Sequence, residues 1–307
     1  MPSSSELALI GKYPATPYKD LQVLTKAVAD LHKRLETGDV SQYLSFKNVS
    51  LKEFRFIESR RKKLGSAVRF TYYPEISTLV LKVVTSTTET VHDSLCHIIS
   101  TKLADMNIDD NQFVSLGASE FEGPWGAIKE GDSAFKNPAI RSDKRDWPSF
   151  VMESAVSDDS MPRLRQDAAW WIANSVGEVK VVLIINVLMQ TRCIVLEKYG
   201  PEDQKSPNTR SQSKGGPNDY RPVLKSTTTV NYGAETPHVE GDSVKLKFKD
   251  LMGRSRGSSE GDVEIGHAEL LSCWSLLNWF LKTEVLQCVQ YISHWMALAR
   301  RLRVQNS

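Results

Sequence analysis

Residues 177–189, GEVKVVLIINVLM, contain a nearly uninterrupted apolar run that restricts the folds open to this chain. Because its apolar residues do not alternate with polar ones, the run predicts a β-strand that is buried on both faces. The preceding segment, MPRLRQDAAWWIANS at 161–175, predicts a helix, and Pro162 suits its first turn. A helix that leads into a fully buried strand indicates an α/β protein with a central sheet between helices.

Periodic patterns elsewhere predict further elements. Helical spacing of apolar residues predicts helices at 18–36, 50–64 and 87–106, and strand-like runs lie at 67–74, 77–85, 146–153 and 244–253. The first two runs are expected to form a hairpin, and the second helix begins with the capping-box sequence Ser50-x-x-Glu53. We therefore predict five regions: an N-terminal helical extension at 1–65, a core at 66–200, a flexible loop at 201–222, additional strands at 223–270 and a C-terminal amphipathic helix at 271–307.

Composition restricts the class of protein. The formal net charge of +2 makes no electrostatic case for nucleic-acid binding over the whole surface. The four cysteines are far apart and form no Cys-x-x-Cys pair, which argues against a zinc site and against a disulfide framework. The N-terminal sequence MPSSSELALIGKY lacks the pattern of a secretory signal. We therefore expect an intracellular protein, cytoplasmic or nuclear.

The C-terminal segment is apolar at helical spacing, but polar residues such as Lys282, Glu284 and His294 interrupt every window of transmembrane length. We predict an amphipathic helix that docks on the body of the protein or mediates self-association. Its three tryptophans and the terminal ARRLR leave an interfacial membrane contact as the weaker alternative.

Two acidic residues are candidates for chemistry because they lie in neighbouring strand-like segments. Asp132 lies in KEGDSAF, and Glu153 follows the apolar residues FVM 21 positions later. If the two strands pair, the carboxylates can converge at one edge of the sheet, where their repulsion favours a divalent cation between them. The alternatives are that Asp132 caps a turn and that Glu153 is a solvated acid at a strand end. Asp167 is expected to pair with Arg163 on its own helix rather than to bind a metal ion.

The segments KEGDSAF, WPSFVMES, PRLRQDAAWW and GEVKVVLII, in this order, resemble a group of fungal proteins that look like the restriction-endonuclease-like PD-(D/E)xK superfamily. The resemblance covers about residues 68–200. It implies an α/β core of the order αβββαβ with a mixed central sheet, to which N- and C-terminal helices are added. It also implies that Asp132 is the first acid of the superfamily motif and Glu153 the second, and that together they hold Mg²⁺ or Mn²⁺.

The motif departs from the superfamily at its third position, because Ala155 stands where a lysine is expected after Glu153. Lys129 and Lys136 flank the first acid and could supply the missing positive charge. The helix that follows offers Arg163 and Arg165, which can stabilise negative charge but are poor proton acceptors.

The function implied by this resemblance is metal-dependent hydrolysis of phosphodiester bonds, with a nucleic acid as the partner. Asp132, Glu153, Lys136 and Arg165 are the predicted catalytic residues, and the two acids are the predicted metal ligands. The missing lysine supports an alternative, a catalytically inactive scaffold or binding module that has kept the fold of a nuclease.

Overall fold

The computed structural model describes residues 3–37, 40–202 and 220–273. Within these ranges the helices are α1 Ser4–Leu7, α2 Leu21–Thr37, α3 Leu51–Ser59, α4 Ser86–Asp105, α5 Met161–Asn174 and α6 Phe248–Met252. The strands are β1 Thr16–Pro17, β2 Tyr43–Lys47, β3 Val68–Tyr73, β4 Thr78–Val83, β5 Val114–Gly117, β6 Glu120–Glu122, β7 Ile128–Glu130, β8 Ser133–Lys136, β9 Phe150–Val156, β10 Val181–Leu188, β11 Cys193–Pro201, β12 Pro222–Asn231, β13 His238–Gly241, β14 Val244–Leu246 and β15 Val263–Ile265. Most of the predicted loop at 201–222 and nearly all of the predicted C-terminal helix at 271–307 lie outside the described residues.

The first sheet is built around the hairpin of β3 and β4, which pair antiparallel over their whole length. Its strand order is β1-β2-β4-β3-β7-β6. Helices α2 and α3 supply Leu24, Val28 and Phe54 to a buried cluster that includes the apolar side chains of this sheet. The predicted hairpin is confirmed, and so is the capping box, since Ser50 and Glu53 exchange side-chain and backbone hydrogen bonds.

The second sheet has the strand order β13-β12-β11-β10-β9-β8-β5. It is mixed, because β9 and β10 run parallel while the other neighbouring pairs run antiparallel. Helix α5 connects β9 to β10 and covers one face, where Trp170 and Trp171 are fully buried. Helix α4 packs on the opposite face through Leu95 and Ile99. The mixed α/β architecture predicted from the sequence is therefore confirmed. Among the described residues, no helix is long and apolar enough to cross a membrane.

The chain passes from the first sheet to the second at Gly131 and Asp132, between β7 and β8. At Gly131 a Cβ atom would lie 3.0 Å from Cζ2 of Trp171 and 3.8 Å from a carboxylate oxygen of Glu153. A glycine is needed there because a side chain would crowd helix α5. This close approach brings the end of β7, the start of β8 and the middle of β9 to one place.

Three segments differ from the expectation. Helix α3 is shorter than predicted, because a 3₁₀ turn at Arg61–Leu64 replaces its last turn. The run at 244–253, predicted as one strand, forms β14 followed by α6. Asp262 accepts a hydrogen bond from the Phe248 N–H at 3.0 Å where α6 begins, a long-range contact that the local pattern does not encode. The region 1–65, predicted as a helical extension, also contributes β1 and β2 to the first sheet.

Candidate functional site

A small polar cavity, called here the central cavity, lies where the two sheets and helix α5 meet. Its volume is about 10 Å³, which is room for about one water molecule. Its charged lining includes Arg69, Lys82, Lys129, Glu153, Arg163 and Asp167. These residues come from β3, β4, β7, β9 and α5, so only the packing of both sheets on the helix creates the cavity.

Asp132 lies beside the central cavity with its carboxylate buried. Its Oδ2 accepts hydrogen bonds from the backbone N–H of Ser154 at 2.7 Å and from the Ser154 hydroxyl at 2.9 Å, and it pairs with the Lys82 ammonium. Its Oδ1 has no hydrogen-bond partner among the described residues and lies 3.8 Å from Arg69 Nε. Burial raises the pKa of Asp132, but Lys82, Arg69 and Ser154 outweigh burial and hold the pKa below its usual range. Asp132 is therefore ionised at neutral pH.

Glu153 lies in the middle of β9, because the strand continues three residues beyond its predicted end, to Val156. The side chain is 1% exposed, so Glu153 is not a solvated acid. Its Oε1 accepts a hydrogen bond from the indole N–H of Trp171 at 2.6 Å and lies 3.2 Å from the Lys129 ammonium. Burial raises the pKa of Glu153 to about 7, since the charge of Lys129 offsets burial only in part and nearby carboxylates add to the shift. Its charge therefore changes near neutral pH.

Lys129 joins two of the acidic side chains around the cavity. Its Nζ lies 2.8 Å from Oδ1 of Asp167 and 3.2 Å from Oε1 of Glu153. Burial lowers the pKa of Lys129, but the two carboxylates outweigh burial and raise the pKa above its usual value. Asp167 thus pairs with a lysine of the first sheet rather than with Arg163, the partner predicted from helical spacing.

The structure does not bring the other two predicted catalytic residues to the central cavity. Lys136 donates a hydrogen bond from its ammonium to the carbonyl oxygen of Asp143 at 2.6 Å. Arg165 makes two hydrogen bonds to the carboxylate of Glu197 on β11, at 2.6 and 2.9 Å. Residues two apart on a helix point about 200° away from each other, so Arg163 faces the cavity while Arg165 does not.

The sequence analysis missed both Arg69 and Lys82, of which Lys82 is the more deeply buried. Lys82 lies in β4 within the apolar run STLVLKVV, and a lysine inside such a run is rarely buried unless its charge is paired. That signal was present in the sequence. Its partner was not visible there, because Asp132 lies 50 positions further along the chain.

The two predicted metal ligands fit a hard divalent cation in part. Carboxylate oxygens are suitable ligands, and Asp132 Oδ1 is a buried acceptor without a hydrogen-bond partner among the described residues. The ammonium groups of Lys82 and Lys129, however, each already pair with one of the two acids. A metal ion would therefore have to share the carboxylates with these lysines.

A second acidic group lies at the edge of the first sheet. Carboxylate oxygens of Glu58, Glu120 and Glu130 lie within 4.8 Å of one another, and this group could hold a metal ion. Arg55 forms ion pairs with Glu58 and Glu120, each at 2.9 Å, and Arg61 pairs with Glu130. The two guanidinium groups offset most of the negative charge, which weakens the attraction of this group for a cation.

No protein-family model and no curated protein matches the chain. Among solved structures, the chain is similar to a DUF820 protein from Anabaena variabilis that is described as a proposed nuclease. The sequence identity is 8% and the TM-score 0.32, over 49% of this chain and 88% of that chain. A TM-score of this size does not establish a shared fold, so we draw neither topology nor activity from it. The expected likeness to fungal proteins has no support in these comparisons.

Proposed function

We propose that this chain is a metal-dependent nuclease-like hydrolase of phosphodiester bonds, in which Asp132 and Glu153 hold the metal ion. The observation that carries the proposal is the position of the Lys129 ammonium, 3.2 Å from Glu153. Ala155 is fully buried against α5, and the positive charge that it does not provide comes instead from β7. Glu153 and Lys129 line the cavity, and Asp132 adjoins it through its pair with Lys82, so the two acids and the lysine that the PD-(D/E)xK resemblance implies lie in one region.

The order of elements around the cavity supports the same proposal. Helix α4 is followed by β5, β8, β9, α5 and β10, with β6 and β7 inserted as part of the first sheet. The strands β5, β8 and β9 pair antiparallel in succession, and β10 returns parallel to β9 after α5. Without the inserted β6 and β7, this succession of elements supports the αβββαβ order that the resemblance implies.

Each group has its own role in the proposed hydrolysis. Mg²⁺ or Mn²⁺, when bound, would polarise the phosphodiester and lower the pKa of a water molecule. Asp132 is ionised and offers Oδ1 as a ligand. Glu153, with its pKa raised to about 7, is a ligand only when deprotonated, so metal binding should weaken at acid pH. Lys129 stays protonated and therefore stabilises negative charge instead of accepting a proton.

The alternative is a catalytically inactive scaffold or binding module. The burial of the site favours it, because Glu153 is 1% and Lys129 3% exposed. Lys82 and Lys129 also neutralise the acids without a metal ion. In this closed form a nucleic acid cannot reach the carboxylates, so hydrolysis requires the surroundings of the cavity to open.

Cleavage assays separate the two functions. The full chain is incubated with single-stranded DNA, duplex DNA and RNA, in Mg²⁺, in Mn²⁺ and in EDTA. If the chain is a hydrolase, we expect metal-dependent cleavage whose rate falls by about 100-fold in Asp132→Asn and in Glu153→Gln. Arg165→Gln is the matched control and should keep full activity, because its guanidinium is bound to Glu197 away from the cavity.

Two results would refute the hydrolytic proposal. Cleavage that survives in both acid variants would show that the nuclease activity does not come from this site. A folded protein that cleaves no substrate with either metal ion would establish the inactive scaffold instead.

A further inference from the structure

Arg163 is a buried cation with two N–H groups that have no hydrogen-bond partner among the described residues. It lies on α5, lines the central cavity and is 3% exposed. Its Nη1 donates a hydrogen bond to the carbonyl oxygen of Ala8 at 2.7 Å, whereas Nε and Nη2 are buried without a hydrogen-bond partner. Among the described residues no carboxylate lies within 4.0 Å of the Arg163 nitrogens, although Glu153 and Asp167 line the same cavity.

This guanidinium has the chemistry of an anion receptor. A buried cation is unfavourable unless its charge and its N–H donors are matched. Nε and Nη2 share one edge of the guanidinium plane, and that edge binds two oxygens of a carboxylate or a phosphate at once. Arg165 uses the same two atoms to bind the carboxylate of Glu197. In Arg163 the corresponding edge has no hydrogen-bond partner among the described residues, and the rings of Tyr13 and Tyr43, at 5.3 and 5.5 Å from Cζ, flank the group.

The N-terminal segment, residues 3–13, accepts the one hydrogen bond that Arg163 donates, through its Nη1. Leu7 and Ala8 are buried against α5, and the Ala8 carbonyl oxygen takes the place of an anionic oxygen at Nη1. The next residue, Leu9, has a φ angle of 51°, a left-handed conformation that is unfavourable for leucine. The contact that covers Arg163 is thus followed by a strained residue, which favours displacement of the segment.

We infer that Arg163 binds a phosphate oxyanion through Nε and Nη2, and that the N-terminal segment moves aside to admit it. Movement is required because a cavity of about 10 Å³ has no room for a phosphate group. The inference rests on the proposed function, since the oxyanion is a backbone phosphate of the nucleic acid that would be hydrolysed by water at a metal ion held by Asp132 and Glu153. Free inorganic phosphate has the same chemistry and is the other source to be distinguished.

Binding is measured by isothermal titration calorimetry on the full chain in EDTA, with inorganic phosphate and a single-stranded DNA of about eight nucleotides as separate probes. Arg163→Gln should weaken binding of the tighter probe by at least about tenfold. Arg165→Gln, the matched control on the same helix, should bind that probe within about twofold of wild type. Tighter binding of the DNA identifies the nucleic-acid backbone as the source of the oxyanion, and tighter binding of phosphate identifies the free anion.

Leu7→Ala provides the second test, because it shortens a buried side chain that anchors the N-terminal segment. It should favour the displaced form and raise the affinity for the same probe by about fivefold. If circular dichroism shows that Arg163→Gln does not fold, the Leu7→Ala result decides. The inference is overturned if folded Arg163→Gln binds the probe as tightly as the wild type does, or if Leu7→Ala binds it no more tightly than the wild type does. It is also overturned if neither the wild type nor Leu7→Ala binds a probe. The binding assay contains no metal ion, so its result is independent of the cleavage assay. If the protein binds the anion through Arg163 but cleaves no substrate, the hydrolytic function is refuted and the anion site is retained.

Discussion

Glu153→Gln tests the electrostatics of the central cavity most directly. Glutamine keeps the shape of the side chain and can accept the indole N–H of Trp171, but it carries no charge at any pH. In the wild type, burial raises the pKa of Glu153 to about 7 from an ordinary value of 4.5. Between these two pH values the folded state retains a proton that the unfolded state releases, so stability must fall as the pH rises.

The expected size follows from the two pKa values. Their difference, at about 1.4 kcal/mol per pH unit, corresponds to about 3 kcal/mol. This stability is fully present below pH 4.5 and is lost as the pH rises through about 7. Burial opposes protonation of His92, but hydrogen bonds to Asp93 and Cys96 outweigh it and raise its pKa to about 10. The contribution of protonated His92 to the free energy of unfolding therefore also falls as the pH rises above 6.5. This change is common to the wild type and Glu153→Gln and cancels in their difference.

The assay is urea unfolding followed by tryptophan fluorescence at pH 5 and at pH 8. Between these values the free energy of unfolding should fall about 2 to 3 kcal/mol further in the wild type than in Glu153→Gln. Glu197→Gln is a matched control: burial raises the pKa of Glu197, but Arg165 and Tyr199 outweigh it and hold the pKa low, so it titrates below this interval. Equal pH dependence in the wild type and in Glu153→Gln would refute the assignment of a raised pKa to this carboxyl group.

Three further substitutions test the contacts around the cavity. Trp171→Phe keeps an aromatic ring but removes the N–H that Glu153 accepts, and should lower the free energy of unfolding by about 1–3 kcal/mol in urea titrations; an unchanged value would show that this bond contributes nothing net. Gly131→Ala places a Cβ atom 3.0 Å from Cζ2 of Trp171 and should cost about 1–3 kcal/mol, measured as a lower Tm, whereas a raised Tm would contradict the close approach. Lys82→Met leaves the buried charge of Asp132 without its ammonium partner and should cost about 3–5 kcal/mol in urea unfolding. The double variant Lys82→Met/Asp132→Asn should recover most of that loss, and failure to recover it would argue against the pair.

Local patterns predicted the elements that carry the site. Helix α5 was expected at 161–175 and runs over Met161–Asn174, and the apolar run that follows it forms β10. These predictions succeed because helical spacing, a proline in the first turn and an apolar run act over a few neighbouring residues. The run at 244–253 shows the limit, since part of it becomes α6 where a distant Asp262 accepts a hydrogen bond from Phe248.

The choice between chemically similar residues could not be made from local patterns. Arg163 and Arg165 share a helix and a charge, but they point to opposite sides of it, so Arg163 lines the cavity while Arg165 binds Glu197 on β11. Lys129 and Lys136 both flank Asp132 in the sequence, yet their strands belong to different sheets. Each outcome depends on which sheet a strand joins and which face of a helix is covered.

Sequence patterns were enough to predict an α/β chain with a strand buried on both faces, and they singled out Asp132 and Glu153 as acids in neighbouring strand-like segments. The groups that surround these acids could be known only from the folded chain. Lys82 reaches Asp132 across 50 positions of sequence, and Lys129 reaches Asp167 across 38. Charge pairing and desolvation depend on distance in space, and these groups are close only because both sheets pack against α5.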